Sequence, residues 1–133
     1  MNSYIANIAQ MTVANQDFRH VIYTTNRLQL VLMSLSPGQD IGTETNPDHD
    51  KFFRIEAGSG TIVIDGVRSK AGAGHCIIVP AGAALDVIND GAEPLRMSTI
   101  YGPAQHVGHL VQATKAEADA DAAHDTPQAA MSQ

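Results

Sequence analysis

The stretch GTETNPDHDKFFRIEAGSG, residues 42–60, decides how this chain is interpreted, because it places six polar side chains directly before an apolar run. The six residues are Glu44, Asn46, Asp48, His49, Asp50 and Lys51. Oxygen and nitrogen donors this dense at the edge of a predicted strand suggest a metal site. Whether they hold a metal depends on which of them point inward, and therefore on the fold.

Composition limits the classes of protein to consider. The 133 residues suit a single domain, and 44% of them are hydrophobic, enough to bury a core. The formal charge is −6 and no basic stripe is present, so we predict no nucleic-acid partner and no membrane partner. The N-terminus lacks the pattern of a secretory signal, and Cys76 is the single cysteine, so we expect a cytoplasmic protein without an intrachain disulfide.

Short strands separated by turn residues predict an all-β fold. FRHVIYTT (residues 18–25) and LQLVLMSL (residues 28–35) are rich in β-branched and aliphatic residues, and TNR between them indicates a tight turn. Asp65–Gly66, directly after TIVI, predicts a two-residue hairpin turn. Because no βαβ alternation is visible, the pattern favours a sandwich or a small antiparallel β-barrel over a parallel sheet.

We divide the chain into three parts. Residues 1–15 form an N-terminal segment with a short helix, residues 16–112 form the barrel, and residues 113–133 form a short helix and a tail. Thr114 followed by Glu117 fits a capping box at the start of the second helix, and Pro127 is expected to end it. The tail is rich in alanine and acidic residues and cannot build a core.

Two motifs with fixed spacing carry a family resemblance. The first consists of Gly38, Glu44, Asn46, Lys51 and Gly58, and the second of Gly74, Pro80, Gly82, Leu85 and Asn89. Both match the paired motifs of the cupin superfamily without insertion, and residues 16–115 resemble a small single-domain bacterial cupin of the RmlC-like type. The resemblance implies a jelly-roll β-barrel that is commonly a homodimer. Glycine, proline and asparagine at these positions suit the tight turns and bulges of such a barrel.

The resemblance also identifies the usual metal-ligand positions, and here the sequence departs from the family. A metal-binding cupin supplies three histidines and one glutamate or glutamine at the places held here by Glu44, Asn46, Lys51 and Leu85. Leu85 has no donor atom, and a lysine ammonium has no lone pair and repels a cation. We therefore predict no metal and no other cofactor. A displaced site with His49 or His106 stays open, beside the alternative that both are ordinary surface histidines.

The inward positions suggest binding of a small organic metabolite instead. Lys51 and Glu44 are predicted to form a buried ion pair, with two speculative catalytic roles: Lys51 as a Schiff-base amine or fixed cation, and Glu44 as a general base. The predicted binding residues are Asn46, His49, Phe53, Leu85, Val87, Tyr101 and His106. Two alternatives remain: a metal-independent lyase, isomerase or decarboxylase acting on a small oxo-acid or carbonyl compound, and an inert barrel kept for assembly.

Overall fold

The computed structural model of the chain describes residues 2–106 and 108–122. Ten strands and two helices are formed by these residues. The helices are α1 (Ile8–Ala14) and α2 (Lys115–Ala122). The strands are β1 (Arg19–Thr24), β2 (Gln29–Leu35), β3 (Glu44–Thr45), β4 (Asp50–Ala57), β5 (Ser59–Ile64), β6 (Val67–Gly72), β7 (Cys76–Val79), β8 (Ala84–Ile88), β9 (Leu95–Gly102) and β10 (Val111–Gln112).

The strands form two antiparallel sheets that face each other across one core. The six-stranded sheet has the order β10-β1-β2-β9-β4-β7, and the four-stranded sheet has the order β3-β8-β5-β6. Every named pairing of strands is antiparallel, so the prediction of an all-β jelly roll with short terminal helices is confirmed. The strands begin at Arg19 and end at Gln112, whereas the three-part division of the chain stays a prediction.

Period-two alternation fixes which side chains enter the core. In β4, Lys51, Phe53 and Ile55 are buried, whereas Arg54 between them is exposed and pairs with Glu56 on the outer face. Directly opposed residues on neighbouring strands share a face, so Lys51 lies in one inward row with Tyr101 of β9. This row contains polar side chains, whereas the adjacent rows are mostly apolar.

The two helices cover the outside of the barrel. Helix α1 packs against β9 and β4, and its N-cap residue Asn7 accepts a hydrogen bond from the Gln10 N–H at 3.1 Å. At the start of α2, the Thr114 hydroxyl accepts from the Glu117 N–H at 3.1 Å, as the sequence predicts. The side chain of Glu117 accepts from the Ala113 N–H rather than from that of Thr114. The predicted end of this helix at Pro127 and the tail lie outside the described residues.

Turn geometry confirms the sequence-based hairpin. Asp65 and Gly66 join β5 to β6 with φ angles of 49° and 81°, the left-handed pair that a two-residue hairpin turn requires. No helix among residues 2–106 and 108–122 is long and apolar enough to cross a bilayer.

Gly58, between β4 and β5, is required for two separate reasons. Its φ of 83° lies in the left-handed region, and a Cβ at this position would press into the carbonyl oxygen of Pro94. Gly38 has a similar φ of 87°, but a Cβ there would meet nothing within 4 Å. The two glycines therefore separate the cost of backbone strain from the cost of a steric clash.

We predict that Gly58→Ala lowers the free energy of unfolding by more than Gly38→Ala does. Left-handed backbone strain costs each variant about 1–2 kcal/mol. The clash with Pro94 adds about 1–3 kcal/mol in Gly58→Ala alone. Equilibrium denaturation in urea measures both, and equal losses in the two variants would contradict the close approach of Pro94.

Candidate functional site

A buried ion pair lies where the family would place a metal. Lys51 enters the barrel from β4 and is 3% exposed, and its Nζ lies 2.6 Å from Oε1 of Glu44. Glu44, on β3 of the other sheet, keeps 32% of its side chain exposed. The ammonium is thus inside the barrel, whereas its carboxylate partner reaches solvent at the mouth. The two speculative catalytic residues are therefore in direct contact.

Tyr101 forms the base of the site beside Lys51. It is 1% exposed, and the Nζ of Lys51 lies 5.9 Å from the centroid of its ring. Burial, the largest cause, raises the pKa of the Tyr101 phenol well above its usual value. Because the phenol keeps its proton, Tyr101 contributes a neutral hydroxyl and an aromatic face to this end of the barrel.

The side chain of His106 packs against Tyr101 from the segment that follows β9. The two rings meet edge-on, with centroids 5.2 Å apart and an interplanar angle of 76°. Gln29 fixes the His106 backbone by accepting its N–H at 2.8 Å and donating to its carbonyl at 2.7 Å. Desolvation lowers the pKa of His106 well below its usual value, and the nearby charges of Arg19 and Lys51 lower it further.

His49 and His106 differ from the surface alternative that the sequence left open. The turn before β4 is present, yet His49 is only 6% exposed, and its Nδ1 donates to the carbonyl oxygen of Pro103 at 2.8 Å. The Pro103 carbonyl gives the buried His49 ring a hydrogen-bond partner in place of water. Neither residue is an ordinary surface histidine, and their binding roles stay predictions.

Apolar side chains from both sheets line the site next to the ion pair. Leu85 and Val87 on β8 and Phe53 on β4 are almost completely buried, and Leu85 pairs directly with Glu44 in the register of β3 and β8. Asn46, just after β3, is half-buried, and its backbone carbonyl accepts from the Gly82 N–H at 2.9 Å. This apolar lining therefore brings Glu44 and Asn46 beside hydrocarbon rather than beside further metal-binding donors.

These residues do not fit the family's usual transition metal. The Glu44 carboxylate already binds the Lys51 ammonium, and Leu85 offers no donor. Asn46 offers only an amide, which suits hard cations surrounded by oxygen ligands. No cluster of three or more histidine, cysteine or acidic side chains with metal-binding geometry occurs within residues 2–106 and 108–122. The prediction of a metal-free site stays a prediction, with this donor chemistry in its favour.

Three polar residues of the barrel end were not identified from the sequence. Arg19 of β1 donates from Nη1 to Oε1 of Gln112 at 2.8 Å, and Gln29 of β2 holds the His106 segment. All three lie outside the two motifs, and the contacts that join Arg19 to Gln112 and Gln29 to the His106 segment connect residues 76 to 93 positions apart. For Arg19 and Gln29, only the alternation of residues along β1 and β2 indicated that their side chains point inward.

A carboxyl pair on the outside of the barrel was also missed. Asp86 lies between the inward residues Leu85 and Val87, is 8% exposed and is close enough to Asp40 for the two carboxyl groups to affect each other's charge. Burial and the neighbouring Asp40 raise the pKa of Asp86 to about 6, whereas Lys115 of α2, 2.8 Å from Asp40, lowers the pKa of Asp40. This pair helps to hold α2 and lies apart from the Lys51 site.

The two halves of the ion pair should contribute unequally to stability. Glu44→Gln leaves a buried ammonium without its counter-charge, so we expect a loss of about 3–5 kcal/mol in the free energy of unfolding. Lys51→Met leaves a carboxylate that solvent can hydrate, so we expect its loss to be clearly smaller.

Urea denaturation of both single variants and of the double variant measures this asymmetry as a double-mutant cycle. Lys70→Met, which removes a lysine whose side chain is 77% exposed, is the matched control. The double variant should recover most of the stability lost in Glu44→Gln. Equal and additive losses would show that the two side chains do not depend on each other.

Comparison with known proteins supports the fold and identifies the family. A model of the cupin domain matches residues 31–101. The uncharacterized protein YrkC of Bacillus subtilis is 38% identical over 121 residues, which cover 86% of this chain and 65% of YrkC. The uncharacterized protein L612 of Acanthamoeba polyphaga mimivirus is 40% identical over 108 residues, covering 77% of this chain and 67% of L612. The chain thus spans about two thirds of the length of these relatives.

Solved structures give the same result. The crystal structure of BH2720 from Bacillus halodurans superposes with a TM-score of 0.88 at 35% identity, covering 90% of this chain and 95% of BH2720. TT1209 from Thermus thermophilus superposes with a TM-score of 0.66 at 21% identity, covering 74% of this chain and 96% of TT1209, and supports the fold alone. The family match, these relatives and the jelly-roll fold together show that the chain belongs to the cupin-domain family.

Proposed function

We propose that the protein binds a small organic metabolite at the Lys51–Glu44 end of its cupin barrel, without a metal ion. The observation that carries the proposal is the buried ammonium of Lys51, ion-paired to Glu44 at the family's metal-ligand positions. A charged group inside a barrel is costly to desolvate, so its presence favours a function over simple packing.

The surroundings of the pair suit a small ligand with one polar and one apolar side. Tyr101 and His106 provide a polar side next to Lys51, and Leu85, Val87 and Phe53 provide the apolar wall. The partial exposure of Glu44 offers a route of entry, since a ligand at the mouth meets this carboxylate first. Few polar groups within a mostly apolar lining are typical of small-molecule sites.

In this proposal Lys51 is the central donor. Its ammonium donates to Glu44 in the free protein, and a ligand oxygen would accept another of its three hydrogens. Asn46 and His49 lie on the turn between β3 and β4, next to the mouth, and would orient the ligand there. Phe53 and Leu85 exclude water from its apolar side.

A metal-independent enzyme is the second candidate, and the desolvated amine of Lys51 favours it. Lys51 would attack the carbonyl carbon of a small oxo-acid, and loss of water would form a Schiff base. Glu44 would first take the proton that the ammonium must release. The inert barrel kept for assembly is the third possibility. The homodimer and the cytoplasmic location stay predictions.

Thermal unfolding with single small metabolites tests the proposal. The probes are pyruvate, succinate, glucose and glycerol, each added to wild type, to Lys51→Met and to the exposed control Lys70→Met. A ligand of the barrel at 100 times its Kd stabilises the fold by about 2.7 kcal/mol. We therefore expect at least one probe to raise the Tm of wild type and of Lys70→Met, but not of Lys51→Met.

Borohydride separates the candidates. An adduct on Lys51 after treatment with pyruvate and borohydride, found by peptide mass spectrometry, would favour the enzyme, whereas a Tm increase without an adduct supports binding alone. An unchanged Tm with all four probes, and no adduct, would contradict both and leave the inert barrel.

A further inference from the structure

Two cationic side chains lie at the barrel end that contains Lys51, and one of them has a carboxylate as its direct partner. Lys51 and Arg19 are both cationic, and Glu44 is the carboxylate paired with Lys51. Within the described part of the chain, Arg19 has no carboxylate within ion-pair distance. Its Nη1 donates to the neutral amide of Gln112 at 2.8 Å instead. Of the two cations, only Lys51 is therefore neutralised directly.

Arg19 also lacks an acceptor for a buried N–H. Its Nε is shielded from solvent and makes no hydrogen bond to any described residue. The guanidinium carbon lies 5.2 Å from the centroid of the Phe18 ring, which offers an aromatic face but no oxygen. A buried donor of a charged group without an acceptor is costly, and native proteins rarely leave one unused.

Arg19 belongs to the same site as Lys51 through Tyr101. Burial raises the pKa of the Tyr101 phenol and the nearby Arg19 guanidinium acts against that rise, while the Lys51 ammonium lies over the ring of the same tyrosine. Arg19 pairs with the buried residues Met33 and Gln112 in the sheet, so it shares the inward face of β1. The fully buried hydroxyl of Thr99, two residues before Tyr101 on the same face, also has no partner among the described residues.

From this arrangement we propose that the metabolite is a small carboxylate anion, and that Arg19 binds its carboxylate while Lys51 donates to a second oxygen of the ligand. The proposal rests on the proposed binding function and adds the chemical class of the ligand. A guanidinium offers paired N–H groups that match the two oxygens of a carboxylate. An anion here would pair directly with the guanidinium and supply the acceptor that Nε lacks.

The test compares acids with their neutral amides in the wild-type protein. The probes are pyruvate, malonate and succinate, and as neutral counterparts pyruvamide, malonamide and succinamide, all at the same ionic strength set with sodium chloride. Calorimetric titration gives Kd, and thermal unfolding gives the shift in Tm. We expect at least one acid to bind and its amide to bind about 10- to 100-fold more weakly.

Variants then locate the anion. Arg19→Gln should weaken binding of the acid about 10- to 100-fold. Arg68→Gln removes the same charge from an exposed strand position and should leave Kd unchanged. Arg19→Lys keeps the charge but not the paired donors, and should give an intermediate Kd. The Tm of each variant without probe shows whether it still folds, and the comparison of acids with amides in wild type needs no variant.

The outcomes separate the two proposals. If a neutral probe binds in a manner that depends on Lys51 while its acid does not, the binding function stands and the anion inference is wrong. If acids bind equally well to wild type, Arg19→Gln and Lys51→Met, they bind elsewhere and the anion inference is wrong. If neither acids nor amides bind, the anion inference is again wrong, and the binding function is contradicted as well when glucose and glycerol also leave the Tm unchanged.

Discussion

The structure of this barrel depends on one constraint, which is that a buried lysine ammonium must be matched by a carboxylate. Lys51 is 3% exposed, so water cannot hydrate it, and Glu44 at 2.6 Å takes the place of that water. The match needs β3 to be in register with β8, because Glu44 reaches the ammonium only while it lies opposite Leu85. A metal ion at this place would need several donor atoms around it, and its positive charge would repel the Lys51 ammonium. The pair and the usual metal are therefore alternatives at one place.

The turns and close contacts around the ion pair match the cupin motifs, although the side chains at the metal-ligand positions differ. Gly58 still allows Pro94 to approach the backbone, and Asn89 still donates from its side chain to the carbonyls of Leu35 and Glu93, at 2.9 Å each. These contacts position strands and turns and do not require a metal. These turns and contacts can thus persist while the inward side chains change, because backbone turns and ligand positions are specified by different residues. In our proposal, what the barrel binds depends on inward residues such as Arg19 and Tyr101.

The fold and the ion pair could be predicted from the sequence, whereas several buried polar contacts could not, for physical reasons. Alternation in β4 predicts that Lys51, Phe53 and Ile55 point inward, and the spacing of the motifs places Glu44 and Leu85 at the site. The contacts of Arg19 with Gln112 and of Gln29 with the His106 segment join distant parts of the chain, which no local pattern encodes. His49 is buried because Pro103 offers it a carbonyl, and Asp86 is buried beside Asp40 although it lies at an outward position in its strand. Polar residues without a motif are predicted poorly, because their burial depends on partners supplied by the tertiary fold.

The most direct test of the central claim is the metal content of the protein, measured by inductively coupled plasma mass spectrometry. The chain should be prepared without a metal-affinity step, incubated separately with zinc, nickel, iron(II) and manganese, and dialysed. If Lys51 and Glu44 form an ion pair in place of the metal, each metal should remain far below one equivalent per chain, and Glu44→Gln should not change that value. Near-stoichiometric metal that is lost in Glu44→Gln would contradict the account, because it would show that Glu44 binds a metal ion rather than Lys51.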